Sequence, residues 1–210
     1  MRLLPGIIAM TVIVVASNIL VQFLLLDGLL TWGAFTYPFA FLVTEIMNRL
    51  YGTAAARKVV LAGFATGIVC SLIGTQVMLE FGPAVTLRVA VASAVAFLAS
   101  QTSDILIFNR LRRQAWWIAP LVASAASSVV DTAVFFTTAF SAALSPAFPA
   151  WANVAVEWAQ EGTPLLTFGP EAAMWISLGL ADLGVKLVIA IVALLPFRLV
   201  VARVLGARTA

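Results

Sequence analysis

A bundle of membrane-spanning helices is the fold class this sequence predicts, and three observations carry it. Of the 210 residues, 63% are hydrophobic and 10% charged, against roughly 45–50% apolar and 25% charged in an average soluble domain. The 12 basic and 9 acidic residues are too few to solvate such a chain in water, whereas lipid demands no polar covering. Finally, apolar runs of about 20 residues recur six times without period-2 alternation, so helices rather than barrel strands cross the bilayer. The class is all-α: six transmembrane helices in one domain over residues 1–210.

The spans run over 4–26, 29–51, 59–79, 87–108, 115–140 and 172–197. The first is read as a retained span, because no small-residue cleavage pattern follows its apolar stretch. Span 2 contains Thr36-Tyr37-Pro38, which reads as an N-cap with Pro in the first turn. The helix then starts near Tyr37 and leaves Trp32-Gly33-Ala34-Phe35 as irregular backbone, as in the broken spans of transporters; an ordinary Pro-containing helix is the alternative. Gly63-x-x-x-Gly67 in span 3 signals close helix packing. Between spans 5 and 6 lies the one long connection, Ser141 to Glu171, with four prolines, Trp151 and Trp158. It is either an amphipathic segment resting at the headgroups or a lid over a cavity.

Orientation follows from the cations. Arg2, Arg49, Arg57, Lys58, Arg110, Arg112, Arg113, Arg198, Arg203 and Arg208 all fall on one side of these spans, which predicts both termini in the cytoplasm. Arg88 alone lies near the opposite face, and Lys186 alone falls inside a span. The pI near 9.6 therefore reflects topology, and no nucleic-acid partner is expected. With no His and a single cysteine, Cys70, neither a disulfide within the chain nor a Cys/His zinc site is available, and no cofactor is called for.

Four acids lie inside spans: Glu45, Asp104, Asp131 and Asp182. A carboxylate at mid-bilayer costs about 2.5–3.5 kcal/mol on insertion scales, so each needs a partner or a polar cavity. Residues three or four apart share a helix face. Asp182 and Lys186 are so spaced and form an expected intrahelical pair. Glu45 has Arg49 at the same spacing, but Arg49 can snorkel to the membrane edge. Asp131, flanked by Ser127 and Ser128, and Asp104, flanked by Ser100 and Gln101, have no cation within a turn and stand as functional candidates. Asn18 and Gln22 form a further polar stripe in span 1. Such stripes are satisfied together by converging on a common interior. No H-E-x-x-H or G-x-S-x-G occurs, which argues against an intramembrane enzyme.

Ser17-Asn18-Ile19-Leu20-Val21-Gln22, Thr31-Trp32-Gly33-Ala34-Phe35-Thr36-Tyr37-Pro38-Phe39 on through Thr44-Glu45 to Tyr51-Gly52, Phe97 to Gln101, Asp104 to Arg112, Trp116-Trp117-Ile118-Ala119-Pro120, Ser128-Val129-Val130-Asp131-Thr132, and Asp182 with Lys186 follow one another in order. In this the chain resembles the queuosine-precursor transporter family, also called the vitamin uptake transporter family. It departs from members that carry Asp where Glu45 stands and Gly-Asn where Ser127-Ser128 stand. The resemblance implies a multi-pass importer in the bacterial inner membrane, taking up 7-cyano-7-deazaguanine (preQ0) or 7-aminomethyl-7-deazaguanine (preQ1) for queuosine salvage.

A guanine-like ring presents an N–H beside an amino group, which a carboxylate accepts bidentately, and flat faces that suit aromatics. The candidate substrate-binding set is Asn18, Gln22, Trp32, Phe35, Tyr37, Glu45, Gln101, Asp104, Ser128, Asp131, Asp182 and Lys186. The partners expected are the deazaguanine substrate, the lipid bilayer and a second copy in a homodimer. A substrate-binding subunit of an energy-coupling-factor uptake system is the rival transport reading.

Overall fold

A computed structural model describes residues 3–80 and 82–209, with side chains to residue 206. The expectations for Arg2 and for the Arg208 side chain fall outside these. The chain runs α1 (Leu4–Leu20), a hairpin of β1 (Leu24–Leu25) and β2 (Leu30–Thr31), α2 (Trp32–Thr36), α3 (Phe39–Tyr51) and α4 (Thr53–Gly74). There follow a hairpin of β3 (Met78–Leu79) and β4 (Gly82–Pro83), α5 (Leu87–Leu111), α6 (Ile118–Phe140) and α7 (Ala150–Val154). A hairpin of β5 (Gly162–Pro164) and β6 (Glu171–Ala173) leads into α8 (Met174–Val192) and α9 (Leu194–Thr209). All three hairpins are antiparallel, pairing Leu24 with Thr31, Met78 with Pro83 and Gly162 with Ala173. Connectivity puts them at one end of the bundle, opposite the end that carries most of the arginines.

Among the described residues, four helical stretches are long and apolar enough to cross a membrane: α4, α5, α6 and the run from Met174 to Gly206. The expected helical membrane bundle is present in this form, with the first two of the six expected spans built from shorter helices. α1 has 17 residues, a rise of about 25 Å; it ends at Leu20, and the chain then turns at Leu26, Asp27 and Gly28, all with positive φ. The second span is divided. Trp32 to Thr36 is helical rather than irregular, and the break falls at Tyr37-Pro38, where proline brings no N–H for the preceding turn. Of the two readings, the Pro-containing helix describes it better. Thr36 caps nothing: its hydroxyl donates to the Gly33 carbonyl at 3.1 Å and meets the Ser17 hydroxyl at 3.0 Å. Pro196 interrupts the last span likewise, dividing α8 from α9.

Side chains such as Leu61, Leu72, Val188 and Ile191 stand outward, where lipid accepts them. Inside, Met10 and Val14 of α1 pack with Met47, Val59, Val60, Phe97 and Ile105. At the arginine end Leu42, Phe108, Ala123 and Phe197 join α3, α5, α6 and α9. Small residues allow the close approaches. A Cβ on Gly63 would lie 2.5 Å from Met10 Cγ, which accounts for the Gly63-x-x-x-Gly67 spacing by packing.

At Gly33 a Cβ would meet backbone at the end of α1: Val21 Cα and N at 3.0 Å and the Ser17 carbonyl at 3.1 Å. Backbone cannot swing aside as a side chain can. Gly33→Ala is therefore expected to lower thermal stability by about 1–3 kcal/mol, read as a drop in unfolding midpoint in detergent; an unchanged midpoint would show that α2 can shift away from α1.

Candidate functional site

Two helices, α6 and α8, bring three charges together inside the bundle. Lys186 on α8 lies 2.7 Å from Asp131 Oδ2 on α6 and 2.5 Å from Asp182 Oδ2 one turn earlier on its own helix. The expected Asp182–Lys186 pair is present, but Asp131, which has no cation near it in sequence, takes the same ammonium. Its other oxygen is occupied too: the Tyr37 hydroxyl donates to Oδ1 at 3.1 Å and the Ser100 hydroxyl at 3.0 Å. The Thr132 hydroxyl donates to Asp182 Oδ2 at 3.1 Å. The Lys186 ammonium also lies 5.5 Å from the centroid of the Tyr37 ring, within reach of a cation–π contact. A lysine between two carboxylates answers the desolvation demand that a lone buried charge could not meet.

This charged centre forms the floor of a cavity of about 400 Å³, within the size range of small-molecule sites. Asn18, Gln22, Tyr37, Asp131, Asp182 and Lys186 line it, and Phe64, Phe97, Phe135, Phe136, Phe140 and Trp158 supply aromatic wall. Its rim is made by the first hairpin, by Ala84 and by Trp158, so it opens toward the hairpin end. Gln22 donates to the Ala84 carbonyl at 3.2 Å across that rim. Asp182 differs from Asp131 in one respect that matters for binding: its side chain keeps 15% of its surface open, against 6% for Asp131.

The remaining candidates lie elsewhere. Trp32 is 50% exposed and Phe35 is also exposed, and neither lines the cavity; on a short helix lying against α1, their rings point outward while Gly33, Ala34 and Tyr37 face in. Glu45, Gln101, Asp104 and Ser128 are fully buried but sit below the cavity floor, toward the arginine end. Glu45 accepts from Ser124 at 2.8 Å, and Gln101 Oε1 lies 2.6 Å from the Thr44 hydroxyl. Arg49 does turn away from Glu45, donating to the Arg112 carbonyl at 2.8 Å, while Arg112 donates to the carbonyls of Asn48 and Arg49 at 3.1 and 3.0 Å. The two arginines thus clasp the ends of α3 and α5.

Sequence reasoning missed Ser100 as a partner of Asp131, since spacing links it to Asp104. It also missed Arg88. That guanidinium is buried at the hairpin end and donates to the carbonyls of Thr138 (3.1 Å) and Ser141 (2.8 Å) and to Asn153 Oδ1 (3.1 Å), with the Phe148 ring 5.0 Å away. Carbonyls at a helix C-terminus favour a cation, so Arg88 ties α6 and the long connection to α5. The connection packs inward through Ala152, Val156 and Ala159, and its Trp158 ring stands 5.6 Å from that of Phe140 beside the cavity.

Comparison with known proteins identifies the family. A family model described as "Putative vitamin uptake transporter" matches residues 31–201. The queuosine precursor transporter of Escherichia coli (strain K12) is 30% identical over 201 residues, covering 88% of this chain and 79% of that protein. A "Probable queuosine precursor transporter" of Haemophilus influenzae is 33% identical over 144 residues, 63% of this chain and 58% of that protein. Another of that name from Bacillus subtilis (strain 168) is 32% identical over 129 residues, 52% of this chain and 56% of that protein. The chain thus spans less than two thirds of the Haemophilus and Bacillus relatives it matches. No solved structure matches it. With apolar helices long enough to cross a bilayer and a family match over most of its length, the chain is a multi-pass membrane protein that belongs to the vitamin uptake transporter family.

Proposed function

We propose that this protein imports queuosine precursors, preQ0 or preQ1, across the bacterial inner membrane, through the cavity above Asp131, Asp182 and Lys186. The observation that carries the reading is a cavity of about 400 Å³ walled by aromatics and floored by a carboxylate still open to it. Asp182 accepts the paired N–H donors of the deazaguanine edge, and Asp131 holds Lys186 in place rather than meeting the ligand. Phenylalanine faces sandwich the ring, and Asn18 and Gln22 complete the polar rim. α1 and the α2–α3 pair add two crossings to the four long stretches, giving six, with the arginine end cytoplasmic.

Uptake of radiolabelled preQ1 into liposomes that hold only this purified chain tests the reading. Uptake that saturates and is competed by preQ0 is expected. No uptake without an added ATPase module would favour a binding subunit of an energy-coupling-factor system.

Topology has its own check. Phe168, 87% exposed in the long connection, is expected to react as Phe168→Cys, in a Cys70→Ala background, with a membrane-impermeant maleimide added to whole spheroplasts. Labelling only after the membrane is opened would invert the orientation.

A further inference from the structure

Below the cavity floor lies a second polar cluster that the binding site does not use. Glu45 on α3 and Asp104 on α5 are 1% and 0% exposed, and their carboxyl groups neighbour each other across the two helices. Ser124 donates to Glu45 at 2.8 Å. No donor among the described residues reaches either oxygen of Asp104. On α3, α5 and α6, the Asn48 side-chain amide, Gln101 Nε2 and the Ser127 and Ser128 hydroxyls are likewise buried and, among the described residues, without partners.

Among the described residues, no cation is placed to balance these two acids. On α8, Lys186 is held between Asp131 and Asp182. On α3 and α5, Arg49 and Arg112 are spent on backbone carbonyls in their clasp, and Arg110 is exposed. Arg57 and Lys58 of α4 are exposed, and Arg198 of α9 lies over the Trp116 ring at 4.9 Å. α6 brings only Asp131, already paired, and Tyr37 donates to that same carboxylate. Two adjacent buried carboxylates with no counter-charge repel each other in a medium that screens poorly. Each is an acceptor facing an acceptor, so a hydrogen bond between them needs a proton that two ionised groups do not have. A shared proton removes one charge and supplies the missing donor in one step.

We propose that Glu45 and Asp104 form a proton-carrying site, separate from the substrate cavity, that couples deazaguanine uptake to the entry of a proton. The proposal rests on the import reading above. The site lies between the cavity and the Arg49–Arg112 clasp, on the route to the arginine end. A proton taken from water on the cavity side sits on the pair while the clasp is closed, and it passes to water at the arginine end when α3 and α5 separate; nothing else is consumed.

The test uses purified full-length protein in liposomes and radiolabelled preQ1, with an acid-outside pH gradient, an inward Na⁺ gradient or neither, plus counterflow exchange without any gradient. Wild type is expected to accumulate preQ1 several-fold above equilibrium under the pH gradient alone. Glu45→Gln and Asp104→Asn are expected to keep counterflow, which reports a folded carrier, and to lose accumulation. Wild-type accumulation that ignores the pH gradient, or that follows Na⁺ instead, overturns the proposal, as does accumulation surviving in both variants. Absence of wild-type counterflow overturns the import reading instead. Should neither variant give counterflow, the pH change on adding preQ1 to solubilised wild type in weak buffer decides; no proton exchanged overturns the proposal.

Discussion

Lys186→Met is expected to destabilise the protein by about 3–5 kcal/mol, the cost of leaving a buried charge without its partner. Methionine matches the length of the lysine stem but leaves Asp131 and Asp182 facing one another with no cation. Lys186 is 2.7 Å from the first and 2.5 Å from the second, so one substitution unpairs two carboxylates. The check is the unfolding midpoint in detergent, with preQ1 uptake in the same preparation. A second variant separates charge from shape: Lys186→Met with Asp131→Asn returns the centre to a single negative charge and is expected to recover part of the lost stability without recovering uptake. A midpoint within a degree of wild type for Lys186→Met alone would mean that water reaches the carboxylates and replaces the ammonium.

Asp182→Asn is expected to weaken preQ1 binding about tenfold to a hundredfold, from the loss of a charge-assisted contact worth about 1.5–3 kcal/mol. The amide keeps the side-chain volume but turns an N–H donor toward a ligand edge that offers donors. The fold should tolerate it better than Lys186→Met, because Asp131 still balances Lys186, and Tyr37 and Ser100 still hold Asp131 in place. Isothermal titration of solubilised protein with preQ1 reads the change. The comparison that matters is with Asp131→Asn, whose expected signature is lost stability rather than lost affinity at equal folding. Normal affinity in Asp182→Asn with weakened affinity in a folded Asp131→Asn would exchange the two roles.

The sequence alone determined the class and most of the helices. Lipid solvation is scored residue by residue along the chain, so a composition of 63% hydrophobic and 10% charged residues settles the environment without any fold in hand. α4, α5, α6 and α8 lie close to their expected spans for that reason. Helix ends were less legible: the expected spans broke only at Asp27-Gly28, yet α1 ends at Leu20 and Leu24–Leu25 pairs with Leu30–Thr31 in a hairpin, a backbone choice that apolar composition does not report. The same locality explains the site. That Asp131, Asp182, Glu45 and Asp104 each needed a partner or a cavity was visible from the cost of burying a carboxylate, and the Asp182–Lys186 pair was visible because helical spacing makes it local. Which acids share a cation was not. Asp131 and Lys186 are separated by 55 positions, Ser100 serves Asp131 rather than Asp104, and the division into a cavity centre and a separate carboxyl pair arises only where α3, α5, α6 and α8 meet. Transfer free energy belongs to a residue and its neighbours in sequence, whereas Coulomb attraction and hydrogen bonding depend on distances that packing alone sets.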